Sequence, residues 1–363
     1  MKVMLLAGEE SGVIYAKKIA QALVERDSSV ELRGYDNYGF QTSDLAVFGF
    51  WAVIRRIFFF LRVKRTMECA LKEWRPDVLC TIDYPGLNLR LAAFAKSLGV
   101  RTVHVVCPQV WAWHQERIPK IERALDRLCC FLPFEPALFK PGFAEFVGHP
   151  LVDELEAEKE VRETGEKGLL AILPGSRLGE IEKHLPTLLR TAKSLKAEMP
   201  ALRVVIPAAN DKAYDAIGHI LERAGLRDAE VTHGGAREIL GRASCAAIAS
   251  GTATFEAALK GCPFVVVYRV GAILAFFLRR IITGVKHVGL INVIAEKAGG
   301  EAPMREFLQE AFTVENVCNE LRPWLQDESA NLSARRRLAG TVELLSSDGS
   351  AISRIASAVL GRM

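Results

Sequence analysis

The chain alternates short, continuous apolar runs with longer stretches in which apolar residues recur every three or four positions. The first pattern is typical of strands buried on both faces and the second of amphipathic helices. An apolar run at residues 2–7 leads through a glycine turn into a helix-spaced stretch at residues 14–24. This order predicts the opening strand, turn and helix of an α/β domain.

The same alternation continues through the N-terminal part of the chain. Further strands are predicted at residues 78–82, 102–106 and 128–132, with helices at 90–98 and 117–125. Strands that are joined through helices pair in parallel, and the helices cover both faces of the sheet. Residues 1–155 are therefore predicted to form a doubly wound, Rossmann-like domain.

A charged stretch at residues 154–167 interrupts the pattern and predicts an interdomain linker. The alternation then restarts, with strands expected at 169–173, 203–207, 245–249 and 264–268 and helices at 185–198, 214–224 and 254–260. A second Rossmann-like domain is predicted at residues 168–345. A C-terminal helix is expected within residues 346–363, and its packing back on the first domain is left open. The fold class is thus α/β, with two doubly wound domains facing a cleft.

The composition is sufficient for two domain cores and argues against a nucleic-acid-binding or secreted protein. The 363 residues are 50% hydrophobic, which is enough for two domains. The net charge of +4 is small and evenly spread, so no nucleic-acid partner is predicted. The eight cysteines lie mostly in apolar runs, which favours reduced thiols in the cytoplasm. The N-terminal run meets Glu9 and Glu10 without the pattern of a signal peptide, so secretion is not expected.

Two apolar segments, residues 45–63 and 270–282, each carry an Arg-Arg pair. Neither contains the roughly 18 uninterrupted apolar residues that cross a bilayer. The first segment predicts a helix lying in a membrane interface, with aromatic and basic side chains at Phe48, Trp51, Arg55, Arg56, Phe58, Phe59 and Arg62. A buried core helix with outward-reaching arginines is the alternative, and for the second segment the two readings are equally favoured.

In the first domain, two turns follow predicted strands. One contains Gly8, Glu9, Ser11 and Gly12 at the start of a helix, where backbone amides favour an anion. Its glycines lack the G-x-G-x-x-G spacing of dinucleotide-binding turns, so a tight turn without a ligand is the alternative. The other contains Asp83 and Asn88, at the sheet edge where ligands bind in α/β folds. Asp83 is predicted as a general base, and a turn-capping role is the alternative.

The second domain repeats this arrangement twice. One turn carries Gly175, Ser176, Arg177 and Glu180, and the other carries Ser250, Gly251, Thr252 and Glu256. A guanidinium and helix-opening amides suit a diphosphate, and a glutamate one turn later suits ribose hydroxyls. A surface arginine and an ordinary helical glutamate are the alternatives. Because no metal-ligand spacing is found in the sequence, neither a metal nor another cofactor is predicted.

Eight motifs resemble, in order, those of the lipid-A-disaccharide synthase family. They are Ala-Gly-Glu-x-Ser-Gly at 7–12, Ile-Asp-x-Pro at 82–85, Pro-Gln-Val-Trp-Ala-Trp at 108–113, Phe-Leu-Pro-Phe-Glu at 131–135, Val-Gly-His-Pro at 147–150, Leu-Pro-Gly-Ser-Arg at 173–177, Ser-Gly-Thr-Ala-Thr-x-Glu at 250–256 and Tyr-Arg at 268–269. The resemblance implies the glycosyltransferase-B fold. It implies an inverting, metal-independent transfer from UDP-2,3-diacylglucosamine to 2,3-diacylglucosamine 1-phosphate, giving a β-1,6 disaccharide and UDP.

The resemblance also implies roles for individual residues. Asp83 would be the base for the acceptor 6-hydroxyl, Arg177 a diphosphate ligand, and Gly251, Thr252 and Glu256 nucleotide contacts, while Tyr268 and Asn292 match family positions near the site. Both substrates are lipids, so the implied location is peripheral, on the cytoplasmic face of the inner membrane. A homodimer is left open.

Two rival functions are kept beside this one. The first is a UDP-sugar epimerase or hydrolase with the same fold. The second is a non-catalytic nucleotide-binding membrane protein derived from the family, which would fit Val13, where the family usually has Asp.

Overall fold

The computed structural model describes residues 1–8, 10–40, 57–157, 165–226, 228–271 and 284–361. The chain forms two compact units, one made of residues 1–154 together with 345–363 and the other of residues 155–344. Each unit is built on its own parallel sheet.

The first unit contains a six-stranded sheet in the order β2-β1-β3-β4-β5-β6. Its strands are β1 (Lys2–Ala7), β2 (Glu31–Arg33), β3 (Val78–Ile82), β4 (Arg101–Val105), β5 (Arg127–Cys130) and β6 (Ala144–Phe146). The helices between them are α1 (Glu10–Arg26), α2 (Ile57–Trp74), α3 (Pro85–Ser97) and α4 (Ile118–Ala124), and α5 (Pro150–Ala157) follows β6.

The second unit contains a six-stranded sheet in the order β12-β11-β10-β7-β8-β9. Its strands are β7 (Glu166–Leu173), β8 (Arg203–Ala208), β9 (Glu230–His233), β10 (Ala243–Ala249), β11 (Phe264–Tyr268) and β12 (Glu306–Leu308). Its helices are α6 (Leu178–Glu198), α7 (Asp211–Ala224), α8 (Ala236–Arg242), α9 (Thr252–Leu259), α10 (Leu290–Lys297), α11 (Val314–Gln326) and α12 (Glu328–Val342).

The central strands are buried on both faces, which explains their continuous apolar runs. Successive residues of β1 enter opposite cores, with Met4 on one face of the sheet and Val3 on the other. In the second unit every residue of β10 is buried. The predicted two-unit α/β architecture is therefore confirmed.

The boundary before β7 differs from the expectation. This strand begins at Glu166, inside the stretch predicted as linker. The Glu166 carboxylate accepts hydrogen bonds from Arg242 Nε at 2.7 Å and Arg203 Nη1 at 3.2 Å. The charged strand end is stabilised by these two arginines: Arg203 begins the neighbouring strand β8, and Arg242 ends α8, which leads into the other neighbour, β10.

The last helix, α13 (Ala351–Leu360), belongs to the first unit although residues 155–344 intervene. Ile355 and Val359 are fully buried among residues of the first unit. The guanidinium of Arg101 donates to the backbone carbonyls of Val359 and Ala358 at 2.9 and 2.7 Å. The helix start is held by Asp153, whose Oδ2 accepts from the Ala351 amide at 2.7 Å.

The docking of α13 generates a stability prediction. Ile355→Ala removes fully buried methyl groups and should lower the free energy of unfolding by about 2–5 kcal/mol. The matched control is Ile14→Ala, because Ile14 lies on α1 with 54% of its surface exposed; its effect should stay within about 0.5 kcal/mol. Urea unfolding followed by circular dichroism measures both, and equal effects would contradict the packing of α13.

Candidate active site

The first unit brings two loops together at the carboxyl edge of its sheet. β1 and β3 are parallel neighbours, and Ala7 lies opposite Ile82. A Cβ atom on Gly8 would lie 2.5 Å from Tyr84 Cγ, so only glycine fits there. Because β2 and β3 flank β1 on opposite sides, this point is a topological switch, where open α/β sheets bind ligands.

Asp83 stands on a strained turn at that point. Asp83 and Tyr84 have φ values of 48° and 51°, a conformation that costs most residues about 1–3 kcal/mol. The Asp83 amide donates to the Val105 carbonyl at 2.9 Å, and the Asp83 carboxylate accepts from the Tyr84 amide at 2.8 Å. Burial raises the pKa of Asp83 above its ordinary value, while the Tyr84 hydrogen bond opposes that shift. A partly buried carboxylate of this kind suits proton transfer.

Asn88 supports the Asp83 turn from behind. Its side chain is fully buried, and Nδ2 donates to the Ile82 and Asp83 carbonyls at 3.2 and 2.8 Å. Its Oδ1 accepts from the Tyr35 hydroxyl at 2.9 Å. The amide expected to bind a ligand is thus engaged with the protein. The sequence did not indicate Tyr35, which is 53 positions away.

The second unit contains a cavity of about 470 Å³ at the carboxyl ends of its central strands. Gly175, Ser176 and Glu180 line one side, after β7. The turn after β10 lines the other side, with Ser250, Gly251, Thr252 and Glu256. Both predicted turns therefore reach one cavity, because β7 and β10 are parallel neighbours.

The turn after β7 depends on a glycine and an ion pair. Gly175 has a φ of 116°, and a Cβ there would lie 2.6 Å from Glu180 Oε2. Arg177 precedes α6, and its Nη1 lies 3.0 Å from Glu180 Oε1. The Arg177 side chain is 66% exposed, so an anion can compete for it; exposed ion pairs contribute only about 0–1 kcal/mol.

The turn after β10 presents the start of α9, whose first backbone amides lack intrahelical acceptors. Such amides and the helix dipole favour an anion. Glu256 Oε1 accepts from Arg237 Nε at 3.1 Å. Arg237 also lines the cavity, although the sequence analysis missed it. The available signal in the sequence was the pair Gly234 and Gly235, three and two positions earlier, because adjacent glycines mark a turn. Both have positive φ in the structure.

Arg177, Tyr268 and Asn292 are not among the residues that line this cavity, although Arg177 directly follows Ser176, which does. Tyr268 ends β11, and its ring lies 5.4 Å from that of His184. His184 bridges two loops, since its Nδ1 lies 2.9 Å from the Pro174 carbonyl and its Nε2 accepts from the Arg269 amide at 3.0 Å. Asn292 is fully buried, and its Nδ2 donates to the Met304 carbonyl and the Glu306 carboxylate, each at 2.8 Å.

Several predicted residues fall outside the described part of the chain: Glu9, Phe48, Trp51, Arg55, Arg56 and residues 272–283, and the side chain of Ser11 is also not described. The described end of the first apolar segment is the start of α2. There Phe58 is 82% exposed, while Phe59 packs against Phe40. Arg62 lies over both of those rings. None of the described helices has the length and apolarity to cross a membrane.

The buried Glu135 was also missed by sequence spacing. Its carboxylate meets the thiols of Cys107 and Cys130, with the three donor atoms within 4.8 Å of one another. Burial raises the pKa of Glu135 to about 8. Cys130 and Glu135 lie five positions apart, and Glu135 ends the Phe-Leu-Pro-Phe-Glu motif at 131–135, but Cys107 comes from the segment after β4, so local spacing does not show that the three meet.

Comparison with known proteins identifies close relatives. A family model described as lipid-A-disaccharide synthetase matches residues 3–353. The lipid-A-disaccharide synthase of Trichlorobacter lovleyi is 33% identical over 99% of this chain and 97% of its own length. That of Myxococcus xanthus is 35% identical over 88% of this chain and 87% of its own.

Solved structures with low identity share the fold. A putative UDP-N-acetylglucosamine 2-epimerase from Listeria monocytogenes superposes with a TM-score of 0.65 at 13% identity, covering 99% of this chain and 95% of its own. The UDP-GlcNAc 2-epimerase from Neisseria meningitidis, bound to UDP-GlcNAc, gives 0.60 at 10% identity and covers 100% and 99%. At these identities the likeness concerns the fold alone.

The turn after β7 generates a prediction about glycine. Gly175→Ala places a side chain at positive φ and against Glu180, so it should lower the unfolding free energy by about 1–3 kcal/mol. Gly179→Ala adds a methyl group with no atom within 4 Å inside α6. It should be neutral or stabilising by up to about 1 kcal/mol. Denaturant unfolding measures the unfolding free energy of both variants. An unchanged unfolding free energy for Gly175→Ala would refute the strained turn.

Proposed function

Because the chain belongs to the lipid-A-disaccharide synthase family and is a glycosyltransferase of the glycosyltransferase-B fold, we propose that it joins UDP-2,3-diacylglucosamine to 2,3-diacylglucosamine 1-phosphate. The products are the β-1,6 disaccharide 1-phosphate and UDP. The observation that carries this proposal is the convergence of two helix-opening turns on one cavity beside Glu256. The epimerase alternative is not favoured, since the family match spans residues 3–353.

The second unit holds the UDP part of the donor in this proposal. The amides that open α9 bind the diphosphate, and the exposed guanidinium of Arg177, paired with the cavity residue Glu180, reaches it from the side. Glu256 accepts hydrogen bonds from the ribose hydroxyls. Arg177 exchanges part of its pairing with Glu180 for phosphate oxygens. As the sugar leaves, negative charge grows on UDP, and these fixed positive groups stabilise it.

The first unit supplies the base. The Asp83 carboxylate takes the proton of the acceptor 6-hydroxyl while that oxygen attacks the anomeric carbon. The bond to UDP breaks in the same displacement, so the configuration at that carbon inverts. The turn geometry fixes Asp83, and burial strengthens it as a base by raising its pKa.

Both proposed substrates carry acyl chains, so the protein must reach a membrane surface. We place it on the cytoplasmic face of the inner membrane, with the start of α2 as the described contact. Ile57, Phe58 and Leu61 are at least half exposed there, next to the exposed basic residues Arg62 and Arg65. Apolar side chains insert among acyl chains, and arginines attract anionic headgroups.

The base assignment predicts the effect of Asp83→Asn. Turnover should fall about 10²-fold or more, because the amide cannot accept the proton, while calorimetric UDP binding should be unchanged. The wild-type rate should decline as the pH falls through the raised pKa of Asp83, since the protonated acid is inactive. The control is Asp215→Asn on the exposed side of α7.

Mass spectrometry of the product lipid, formed in detergent from the two acylated substrates, measures this turnover. Near-normal product from Asp83→Asn would refute its role. Conversion of a water-soluble UDP-sugar without acylated acceptor would favour the epimerase or hydrolase. Tight UDP binding without transfer to any acceptor would favour the non-catalytic alternative.

The membrane contact predicts a binding defect. The double change Phe58→Ser and Leu61→Ser removes two exposed apolar side chains, each contributing about 1.5–3 kcal/mol when fully buried. Sedimentation with anionic vesicles should show an association at least tenfold weaker, which corresponds to a loss of about 1.4 kcal/mol or more of binding free energy. Val24→Ser on α1, where Val24 is 44% exposed, is the control. Equal binding of all variants would exclude this surface.

A further inference from the structure

The segment that follows β4 is held by a buried carboxyl group. Glu135 is 3% exposed and lies in the turn after β5. Its Oε1 accepts from the indole Nε1 of Trp111 at 3.0 Å, and its Oε2 accepts from the Leu132 amide at 3.1 Å. Burying a carboxyl group is costly unless it is hydrogen-bonded. Both oxygens are satisfied here, and one of the two bonds reaches the segment after β4.

Trp111 is the centre of that segment, residues 107–114. Its side chain is 7% exposed and meets the Phe134 ring edge-on at 5.7 Å. The amides of Ala112 and Trp113 both donate to the Gln109 carbonyl, which closes a tight turn. The turn buries Trp111 and leaves Trp113 36% exposed. Two tryptophans two positions apart therefore have opposite environments.

The entry to the segment is strained. Val106 has a φ of 74°, which is rare for a β-branched residue and costs about 1–3 kcal/mol. The Val106 amide donates to the Cys129 carbonyl at 3.0 Å, so the neighbouring strand enforces this conformation. Strain of this kind persists only where surrounding contacts fix it.

The segment also leaves the sheet beside Asp83. β3 and β4 are parallel neighbours, and Ile82 lies opposite Val105. The Asp83 amide donates to the Val105 carbonyl at 2.9 Å. The Asp83 turn is thus hydrogen-bonded to the end of β4, two residues before the 107–114 segment begins.

We infer that Glu135 is a positioning residue for the acceptor: through Trp111 it fixes the 107–114 segment so that Trp113 offers its indole to the acceptor sugar beside Asp83. This inference rests on the proposed function. An indole presents a large apolar area at little loss of side-chain freedom, which suits the carbon face of a sugar ring. A displacement of about 1 Å at such a wall can cost about 10²-fold in rate.

The test measures acceptor and donor kinetics separately. Glu135→Gln replaces one carboxylate oxygen with an amide NH2, so either Trp111 Nε1 or the Leu132 amide loses its acceptor. Trp111→Phe removes the indole N–H. Trp113→Ala removes the proposed wall, whereas Trp113→Phe keeps an aromatic face. We expect kcat/KM for 2,3-diacylglucosamine 1-phosphate to fall about tenfold or more in the first three variants, a loss of about 1.4 kcal/mol each. Trp113→Phe should recover part of the loss.

UDP binding by calorimetry should remain within about twofold in every variant, since the UDP cavity lies in the second unit. The matched control is Trp324→Phe, because Trp324 is a buried tryptophan of α11, 6% exposed. It should leave acceptor kcat/KM unchanged. Thermal unfolding shows whether each variant is folded. If Glu135→Gln does not fold, the Trp113 variants still test the inference, because this side chain is partly exposed and its replacement should leave the fold intact.

The outcomes separate the two proposals. Absence of product from the wild-type protein would refute the proposed function itself. If the wild type forms product but Trp111→Phe and Trp113→Ala match Trp324→Phe, the positioning role is overturned. Equal losses for acceptor turnover and UDP binding would also overturn it, since they would indicate a general structural defect.

Discussion

Parallel pairing of the central strands is the constraint on which both sites depend. In the first sheet β1 pairs with β3, and in the second β7 pairs with β10. Parallel neighbours end at the same edge of the sheet. Strand pairing alone therefore brings together the loops that follow them. Each pair is also the point where the winding of its sheet reverses, which leaves a crevice between the loops. The glycines that open these loops then decide how closely the backbones approach.

Two ion pairs lie in or next to the second unit's cavity. Arg177 pairs with Glu180, and Arg237 pairs with Glu256. Each cation is thereby kept near the cavity while its charge is partly compensated. The cost of giving up an exposed pair is small, whereas a guanidinium facing a diphosphate gains two aligned hydrogen bonds. The arrangement therefore suits a site that must bind and later release an anion.

The sequence predicted the central strands closely, because strands buried on both faces must be continuously apolar. The Lys2–Ala7, Val78–Ile82 and Phe264–Tyr268 strands have the predicted limits. The short edge strands β2, β6, β9 and β12 were not predicted, since their partly exposed residues give no such run. Residue type alone also did not reveal that Asn88 and Asn292 turn their amides toward backbone groups. The Trp111 and Glu135 contact joins residues 24 positions apart, which local spacing cannot show.

The return of α13 to the first unit has a consequence for how the protein is made. During synthesis residues 1–154 leave the ribosome before Ile355 and Val359, which complete one face of their core, have been made. The second unit, residues 155–344, is by then entirely available to fold. Chains normally fold from the N-terminus onward as domains emerge. Here residues 1–154 are made before α13, so the apolar face that α13 covers stays exposed until the second unit has also been synthesised.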